Sequence, residues 1–501
     1  MAQYKIALIG LYNYKVLGVR YLASALRQKG FDCPLIFFKN FESGNMKKPS
    51  EREYELLLNL LRELKPNAIG LSVMSTLYLE APRELTRRLR DAFGPEVPII
   101  WGGVYPTLFP AESLDYADLV LRGESEDALV ELVEHLNEGA IPDALPNLAY
   151  RKQDQTVVNE VRRLEEDLDR LSFPLLGDRQ IYYINYDKLM PGDPQVKNHT
   201  YEMTCSRGCP YVCSYCSSLS LKKLYRGKGK FVRLRSVDNV IQEIRQAQQK
   251  MKKMRMVLFW DEIFPDDLAW VQEFTDRYRK EINLPFQIWG HPLRTRQEVI
   301  DLLVEAGLSQ VVIGIQSGSP RIRKQVFFRR ENQDEILKMS RVLAQARVPE
   351  VIYDFILDHP FETEEDFRLT LELCEKLHRP FTLQLHGLSF LPGTEIVNLA
   401  IKEGVITREE IERLQNLPLE EQYRAMYWFY GDDKVKYRRS QYWINLIFYS
   451  QFPRLYKIVK PLATRTSLLE KNALPFRFLR KGCNYFLFGR RVAKKLSWLY
   501  G

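Results

Sequence analysis

The segment Thr204-Cys-Ser-Arg-Gly-Cys-Pro-Tyr-Val-Cys-Ser-Tyr-Cys216 contains four of the seven cysteines of the chain. Three of them follow the spacing Cys209-x3-Cys213-x2-Cys216, which places three thiols on one short loop. A [4Fe–4S] cluster usually takes four thiolates, and three on one loop can hold three irons and leave the fourth open to another ligand. A zinc site would need a second ligand pair elsewhere, and the other cysteines are isolated. The spacing predicts a [4Fe–4S] cluster on Cys209, Cys213 and Cys216, with zinc or unrelated buried thiols as the alternatives.

On the carboxyl side of this segment, apolar runs alternate with amphipathic helical patterns. The strand candidates are 201–204, 256–260, 286–289, 310–315, 352–357 and 383–390. This series predicts a partial (β/α)6 barrel over residues 196–400, with its catalytic end at the strand-to-helix loops. Residues 401–501 lose the alternation, and we expect them to form a mainly helical extension.

On the amino side, residues 4–137 also alternate between short apolar runs and helical patterns. This pattern predicts a doubly wound, Rossmann-like α/β domain over residues 1–140, which would bind ligands at the carboxyl ends of its strands. No GxGxxG stands between the first strand and its helix, so a dinucleotide-binding domain is disfavoured. Residues 141–195 are rich in Pro, Asp and Asn and are predicted to be a linker.

The cysteine spacing and several later blocks resemble the radical S-adenosylmethionine (SAM) superfamily over about residues 200–400. The blocks are Phe259-Trp-Asp-Glu-Ile-Phe264, Gly314-Ile-Gln-Ser-Gly-Ser319, Phe355-Ile-Leu-Asp-His-Pro360 and Leu391-Pro-Gly-Thr394. The resemblance implies that SAM binds the open iron and is contacted by Tyr215, Asp261, Glu262 and Gln316. Gln316 stands where the family usually has a Glu. The resemblance also implies that Cys205, in the preceding strand, is a packed thiol.

Ahead of such a barrel, an α/β domain with this layout resembles the cobalamin-binding domain of the superfamily's B12-dependent branch. Ser72-Val-Met74 ends the third predicted strand and Gly102-Gly103 ends the fourth, like the family's Ser-x-Leu and Gly-Gly elements. Glycines let a corrin or its nucleotide tail approach the backbone, and Ser can hydrogen-bond that tail. The resemblance implies that cobalamin is contacted by Ser72, Gly102, Gly103 and Tyr105.

The segment Asn13-Tyr-Lys-Val-Leu-Gly18 departs from one family pattern. Cobalamin proteins that bind cobalt through His carry Asp-x-His-x-x-Gly here, so Lys15 stands in the place of the His. A Lys ammonium has no lone pair to give a metal at neutral pH. Either cobalamin binds without a protein ligand below cobalt, or the domain is vestigial.

Residues 424–501 hold 17 Lys and Arg against 3 Asp and Glu, although the whole chain carries a net charge of only +9. Aromatic residues are interleaved with these cations, as at Tyr427-Trp-Phe-Tyr430, Tyr442-Trp443 and Tyr485-Phe-Leu-Phe488. This combination favours an interfacial helix on an anionic membrane over a nucleic-acid surface, and no nucleic-acid partner is expected. The alternative is a helical subdomain that packs on the barrel and exposes a basic face.

The chain shows no signal peptide and no apolar run of membrane-spanning length. Its few, clustered cysteines suit a metal site in a reducing compartment. We therefore expect a cytoplasmic protein, with peripheral contact at the inner membrane face if the tail binds lipid.

The resemblance implies a radical SAM enzyme with a [4Fe–4S] cluster, SAM and cobalamin, acting as a methyltransferase on an unactivated carbon. Such a C–H has no acidic proton for a base, so cofactors must carry the chemistry, and no catalytic acid or base is predicted. The tail favours a hydrophobic or amphipathic substrate such as a lipid, an isoprenoid or a tetrapyrrole ester, and flavodoxin or ferredoxin would donate electrons. The alternatives are a radical SAM cyclase or rearrangement enzyme without methyl transfer, and a cobalamin- or redox-responsive binding protein.

Overall fold

The computed structural model describes residues 4–42, 47–74, 79–422 and 434–464. Over these ranges the chain forms two large β-sheets, followed by helices. The strands of the first sheet precede the cysteine segment in sequence, and the strands of the second sheet begin just before that segment and continue after it. No helix in the described ranges is long and apolar enough to cross a membrane.

The first sheet has nine strands. They are β1 (Ile6–Leu11), β2 (Leu35–Phe38), β3 (Ala68–Ser72), β4 (Ile99–Gly102), β5 (Leu119–Leu121), β6 (Leu148–Lys152), β7 (Gln155–Val158), β8 (Ile181–Asn185) and β9 (Lys188–Pro191). Their order is β7-β6-β5-β4-β3-β1-β2-β8-β9, and the strands from β5 to β8 run parallel. The predicted doubly wound domain is confirmed, and its strand order reverses between β1 and β3, where such sheets bind ligands.

Helices cover both faces of this sheet. They are α1 (Leu17–Gln28), α2 (Glu51–Leu64), α3 (Glu80–Phe93), α4 (Val104–Leu108), α5 (Pro110–Ser113) and α6 (Glu126–Asn137). Leu57 of α2 and Leu85 of α3 belong to the core on one face, whereas Val19 of α1 and Leu132 of α6 belong to the core on the other. Because both faces are covered, the central strands are continuous apolar runs.

The segment predicted as a linker, residues 141–195, belongs largely to the first sheet. β6 and β7 form a hairpin that extends the sheet beyond β5, and β8 and β9 form a hairpin that extends it beyond β2. The Pro, Asp and Asn residues lie mostly in the turns and short 3-10 segments between these strands, which masked the strand pattern. The first domain therefore continues to the end of β9.

The second sheet has six parallel strands, which confirms the partial (β/α)6 barrel. In spatial order they are β10 (Thr200–Met203), β13 (Met256–Phe259), β14 (Phe286–Gly290), β15 (Leu308–Gln316), β16 (Glu350–Ile356) and β17 (Thr382–His386). A separate ribbon pairs β11 (Ser206–Arg207) with β12 (Arg233–Leu234). The helices of the barrel are α7 (Ser217–Leu224), α8 (Val237–Lys250), α9 (Leu268–Glu281), α10 (Gln297–Glu305), α11 (Gln333–Gln345) and α12 (Glu364–Lys376).

The carboxyl-terminal part is helical where the structure describes it, as predicted. Its helices are α13 (Glu395–Lys402), α14 (Arg408–Gln415), α15 (Lys434–Ser450) and α16 (Pro453–Val459). Helix α15 packs against α12 and buries Trp443, Ile447 and Tyr449 in the core of the barrel. The aromatic residues of α15 therefore serve the packed subdomain that we gave as the alternative. The other predicted aromatic groups, 427–430 and 485–488, lie outside the described residues.

Candidate active site between the two domains

Cys209, Cys213 and Cys216 lie on the loop between β11 and α7, just beyond the carboxyl end of β10. None forms a disulfide, and all three are partly buried. Burial raises the pKa of the Cys209 thiol to about 11, a hydrogen bond from the Tyr211 backbone opposes this, and the other two thiols lie close enough to add to it. Within the described ranges no further His, Cys, Asp or Glu side chains join them in a group placed for a single metal ion. Three thiols that must lose protons on binding fit an iron–sulfur cluster.

Residues 322–331, which we call the brace, hold this cysteine loop in place. The brace begins with a π-helical turn, an element often found at functional sites. Ser214 donates from its Oγ to the carbonyl of Val326 at 2.5 Å and from its backbone N–H to the carbonyl of Phe327 at 3.1 Å. The Tyr215 ring packs edge-on against Phe327, with 5.0 Å between ring centroids. The stretch between the second and third cysteines is thereby fixed to the brace.

Arg329 of the brace reaches the cluster loop itself. Its Nη1 lies 3.9 Å from Cys213 Sγ and donates to Tyr215 Oη at 3.2 Å, while its Nε donates to Glu331. Arg329 is only 6% exposed, and Glu331 is fully buried. We did not predict this residue, because an Arg beside another Arg and a Glu has the sequence pattern of a solvated surface.

Two adjacent residues predicted to contact SAM face different surroundings. Glu262 lines a cavity between the two domains together with Cys216. Asp261 is 2% exposed, and its carboxylate accepts hydrogen bonds from the Cys205 backbone N–H at 3.0 Å and from the Ser206 hydroxyl. Burial raises the pKa of Asp261 to about 7, and those hydrogen bonds oppose the rise. Glu262 is thus open to a ligand, whereas Asp261 fixes the chain just before the cysteine loop.

Of the other two predicted SAM contacts, Tyr215 lies within the cysteine loop and Gln316 lies at the carboxyl end of β15. Gln316 ends β15 at an irregular register with φ of +71°, and its amide folds back over Gly314, where a Cβ would lie 2.2 Å from Gln316 Nε2. Tyr215 is held through its hydroxyl by Arg329. Cys205 is fully buried in the core of the barrel, in keeping with a packed thiol. Contact of these residues with SAM stays a prediction.

Two cavities lie between the first domain and the barrel. Cavity A, of about 660 Å³, is lined by Lys15, Met74 and Tyr105 of the first domain and by Trp260 and Leu391 of the barrel region. Cavity B, of about 580 Å³, extends from the sheet at Gly70 to Cys216 and Glu262. The residues that line both are Ser72, Val104, Ser217 and Trp260. The two cavities are therefore neighbours that share part of their lining.

The residues predicted to contact cobalamin line these two cavities. Ser72, Gly102 and Gly103 border cavity B, and Tyr105 borders cavity A. Gly103 has φ of +111°, and a Cβ there would lie 2.5 Å from the carbonyl oxygen of Val73. Only glycine therefore permits the segments that follow β3 and β4 to approach each other this closely. Cavity B also reaches Gly70 inside the sheet, on the side where a nucleotide tail could enter. Contact at each of these residues stays a prediction.

Lys15, in the place of a cobalt-binding His, forms an ion pair across the domain boundary. Its Nζ lies 2.5 Å from Oε1 of Glu202 on β10, and Oε2 of Glu202 accepts a hydrogen bond from Trp260 Nε1 at 2.7 Å. The Trp260 ring stacks on Trp289 at 4.3 Å. A paired ammonium offers no lone pair to cobalt, so cobalamin would bind without a protein ligand at this position.

A second joint links the two domains beside the cluster loop. Gly123 lies so close to Tyr225 that a Cβ would stand 1.8 Å from Tyr225 Oη, and this hydroxyl accepts a hydrogen bond from the Glu124 backbone N–H at 2.8 Å. The Glu124 carboxylate pairs with Arg207 at 3.1 Å and with Arg233. Because Arg207 lies two residues before Cys209, this network fixes the start of the cysteine loop to the first domain.

Comparison with known proteins agrees with this geometry. Residues 203–374 match the family model of the radical SAM superfamily, and residues 11–133 match that of the B12 binding domain. The chain is 23% identical over 439 residues to cytidylyl-2-hydroxyethylphosphonate methyltransferase of Streptomyces wedmorensis, covering 79% of each chain. It is 22% identical over 321 residues to the anaerobic magnesium-protoporphyrin IX monomethyl ester cyclase of Rubrivivax gelatinosus, covering 61% of this chain and 52% of the cyclase.

Among solved structures, the fold is shared with the radical SAM methyltransferase TsrM of Kitasatospora setae with cobalamin and [4Fe–4S] cluster bound. The TM-score is 0.64 at 17% identity, over 81% of this chain and 79% of that one. The chain therefore belongs to the radical SAM superfamily. Within it, the chain is a cobalamin-dependent radical SAM enzyme, whose cofactors are a [4Fe–4S] cluster, SAM and cobalamin.

Proposed function

We propose that the protein is a cobalamin-dependent radical SAM methyltransferase that methylates an unactivated carbon of a hydrophobic or amphipathic substrate. The observation that carries this proposal is cavity B between the domains, because it is lined both by Cys216 and Glu262 and by Ser72 and Gly102. A methyltransferase relative that covers most of the chain supports it. When bound, the cofactors supply radical hydrogen abstraction and methyl transfer, for which protein side chains are not equipped.

The chain itself aligns the two cofactor regions. The Lys15–Glu202 ion pair and the Gly123–Tyr225 joint fix the first domain against the barrel at two places. Fixing reacting groups in this way can remove much of the entropic barrier to reaction.

Exposed apolar side chains in cavity A support a hydrophobic substrate. Met74 is 52% exposed and Trp260 is 47% exposed, and both line the cavity. The Trp260 ring stacked on Trp289 presents a flat apolar surface. Large apolar side chains that line a cavity and remain partly exposed in it are typical of a site for an apolar ligand.

Transfer of label from SAM tests the proposal. The protein would be reconstituted anaerobically with iron, sulfide and hydroxocobalamin and incubated with reductant, methyl-labelled SAM and a panel of isoprenoid, lipid, tetrapyrrole ester and polar small-molecule substrates. Label in a carbon-methylated product supports the proposal. Transfer of label only to polar substrates would refute the hydrophobic substrate while keeping methyl transfer.

A second candidate is a radical SAM cyclase or rearrangement enzyme, and the similarity to the magnesium-protoporphyrin ester cyclase favours it. In the same assay, SAM cleavage with an unlabelled, altered product would identify this activity. Absence of SAM cleavage under reductant would instead favour a cobalamin- or redox-responsive binding protein.

A hydrophobic substrate suits peripheral contact at the inner membrane face, which we propose for the parts of residues 424–501 outside α15, because α15 buries its aromatic residues in the barrel. Truncation after residue 464 should weaken flotation with liposomes that contain phosphatidylserine and should leave the iron content unchanged. If the full chain does not float with these liposomes, membrane contact is excluded and the methyl-transfer proposal is unaffected.

A further inference from the structure

We propose that Arg329 raises the reduction potential of the iron–sulfur cluster by placing a fixed positive charge beside the Cys213 sulfur, and that Glu331 moderates this effect. Arg329 lies outside the cysteine motif and outside the blocks that resemble SAM-binding segments. It would act through the Cys213 thiolate and is therefore a positioning residue.

The Arg329 guanidinium is held rigidly. Besides its contact with Cys213 Sγ at 3.9 Å, it donates from Nη1 to Tyr215 Oη at 3.2 Å and from Nη2 to the carbonyl of Gly314 at 2.7 Å. Its Nη2 also lies 3.1 Å from His291 Nε2, and its Nε donates to Glu331. A side chain that is 6% exposed and fixed by partners on several elements cannot swing away from the thiolate as a surface Arg would.

The buried charges around Cys213 do not cancel. Glu331 is fully buried, and one of its oxygens, Oε2, has no hydrogen-bond partner. Arg323 is also fully buried and donates to the backbone carbonyls of Ser317 at 2.7 Å and Glu331 at 3.3 Å. The brace therefore carries two buried guanidinium groups and one buried carboxylate, and the guanidinium of Arg329 is the one beside a cluster ligand. Charges in such a poorly solvated region act more strongly than they would in water.

The direction of the effect follows from the charge change. One electron from a low-potential donor such as reduced flavodoxin or ferredoxin adds one negative charge to the cluster, and no bond in the protein forms or breaks. A hydrogen-bond donor and net positive charge beside a ligand sulfur stabilise the more negative, reduced state. Removing the Glu331 charge should therefore raise the potential, and removing the Arg329 charge should lower it.

Two variants test the proposal. Glu331→Gln keeps an oxygen that accepts from Arg329 Nε but removes the negative charge. The double variant Arg329→Gln/Glu331→Gln removes the pair together, which is milder than leaving one buried charge alone. Potentials would be measured by redox titration with EPR detection on the full chain carrying its cluster, without SAM or cobalamin.

For Glu331→Gln we expect the ratio of reduced to oxidised cluster at a fixed potential to rise about tenfold, or about 59 mV for one electron. For the double variant we expect a fall below wild type of similar size. A matched control is Arg20→Gln/Asp193→Asn, because this ion pair is equally buried, at 2.8 Å, but lies away from the cysteine loop; its potential should equal that of wild type.

The proposal is overturned if Glu331→Gln leaves the potential unchanged or lowers it, if both variants shift it in the same direction, or if the control shifts it as much as they do. The measurement reads the cluster directly. Failure of the methyl-transfer proposal would therefore not affect it.

Discussion

Replacing Gly123 with Ala tests whether the joint beside the cluster loop maintains the cobalamin site. Gly123 has φ of +68°, and the new Cβ would lie 1.8 Å from Tyr225 Oη and 2.8 Å from Tyr225 Cζ, closer than real Cβ contacts. Tyr225 must therefore move and lose its hydrogen bond from the Glu124 backbone. The left-handed backbone costs about 1–2 kcal/mol for a residue other than glycine, and the lost hydrogen bond about 0.5–1.5 kcal/mol. The total is about 1.5–3.5 kcal/mol.

Because Gly123 and Tyr225 both line cavity B, this cost should appear in cobalamin binding. We expect the Kd of the apoprotein for hydroxocobalamin, measured by equilibrium dialysis, to rise about tenfold or more. Gly139→Ala is the matched control, because Gly139 has φ of +79° and nothing within 4 Å of its Cβ position. Adding Tyr225→Phe to Gly123→Ala removes the closest clash and should restore part of the affinity. Equal Kd values for the Gly123→Ala and Gly139→Ala proteins would refute the reasoning.

Three further predictions follow from the same structure. Cys209→Ser should abolish iron binding in anaerobic reconstitution, whereas Cys205→Ser should leave the measured iron content unchanged. Loss of iron in both variants would contradict the assignment of Cys205 as a packed thiol. Burial, with help from neighbouring Arg charges, lowers the pKa of His291 to about 2 from 6.5. The stability that the neutral His291 side chain contributes is therefore present above pH 6.5 and is lost by about 1.4 kcal/mol per pH unit below it. The amount by which His291→Gln lowers the Tm relative to wild type should then shrink between pH 7 and pH 5. A difference in Tm that stays constant over this range would argue against a neutral buried imidazole. Trp443→Ala should lower the free energy of unfolding, measured by urea denaturation, by about 3–5 kcal/mol. Ile458→Ala, at a residue 75% exposed, should change it by less than about 0.5 kcal/mol. Equal effects of the two substitutions would mean that α15 does not pack as described.

Features that depend on local sequence periodicity could be predicted. The strand and helix alternation of both domains follows from apolar runs and amphipathic stretches, and the cluster loop follows from the spacing of three thiols. The departure at Lys15 was also visible, because a single residue type decides whether a side chain can bind cobalt. Its partner Glu202, 187 residues away in sequence, could not be predicted from any local pattern.

The parts that sequence analysis missed depend on contacts between distant segments. Arg329 and Cys213 are 116 residues apart, and nothing near Arg329 distinguishes it from a surface cation. Residues 141–195 form short strands whose pairing with the sheet edges gives them their structure. In α15, aromatic and basic residues suit either a membrane surface or a packed helix, and only its contact with α12 decides between them.

The two hairpins from residues 141–195 limit how this enzyme could exchange parts with its relatives. They cover β5 and β2, which would otherwise be the outer strands of the first sheet. A recombination breakpoint at residue 140 would leave two open edges, each able to pair with other chains and aggregate. A breakpoint after β9 would keep both edges covered. Chimaeras joined after Pro191 should therefore be more soluble than chimaeras joined at residue 140.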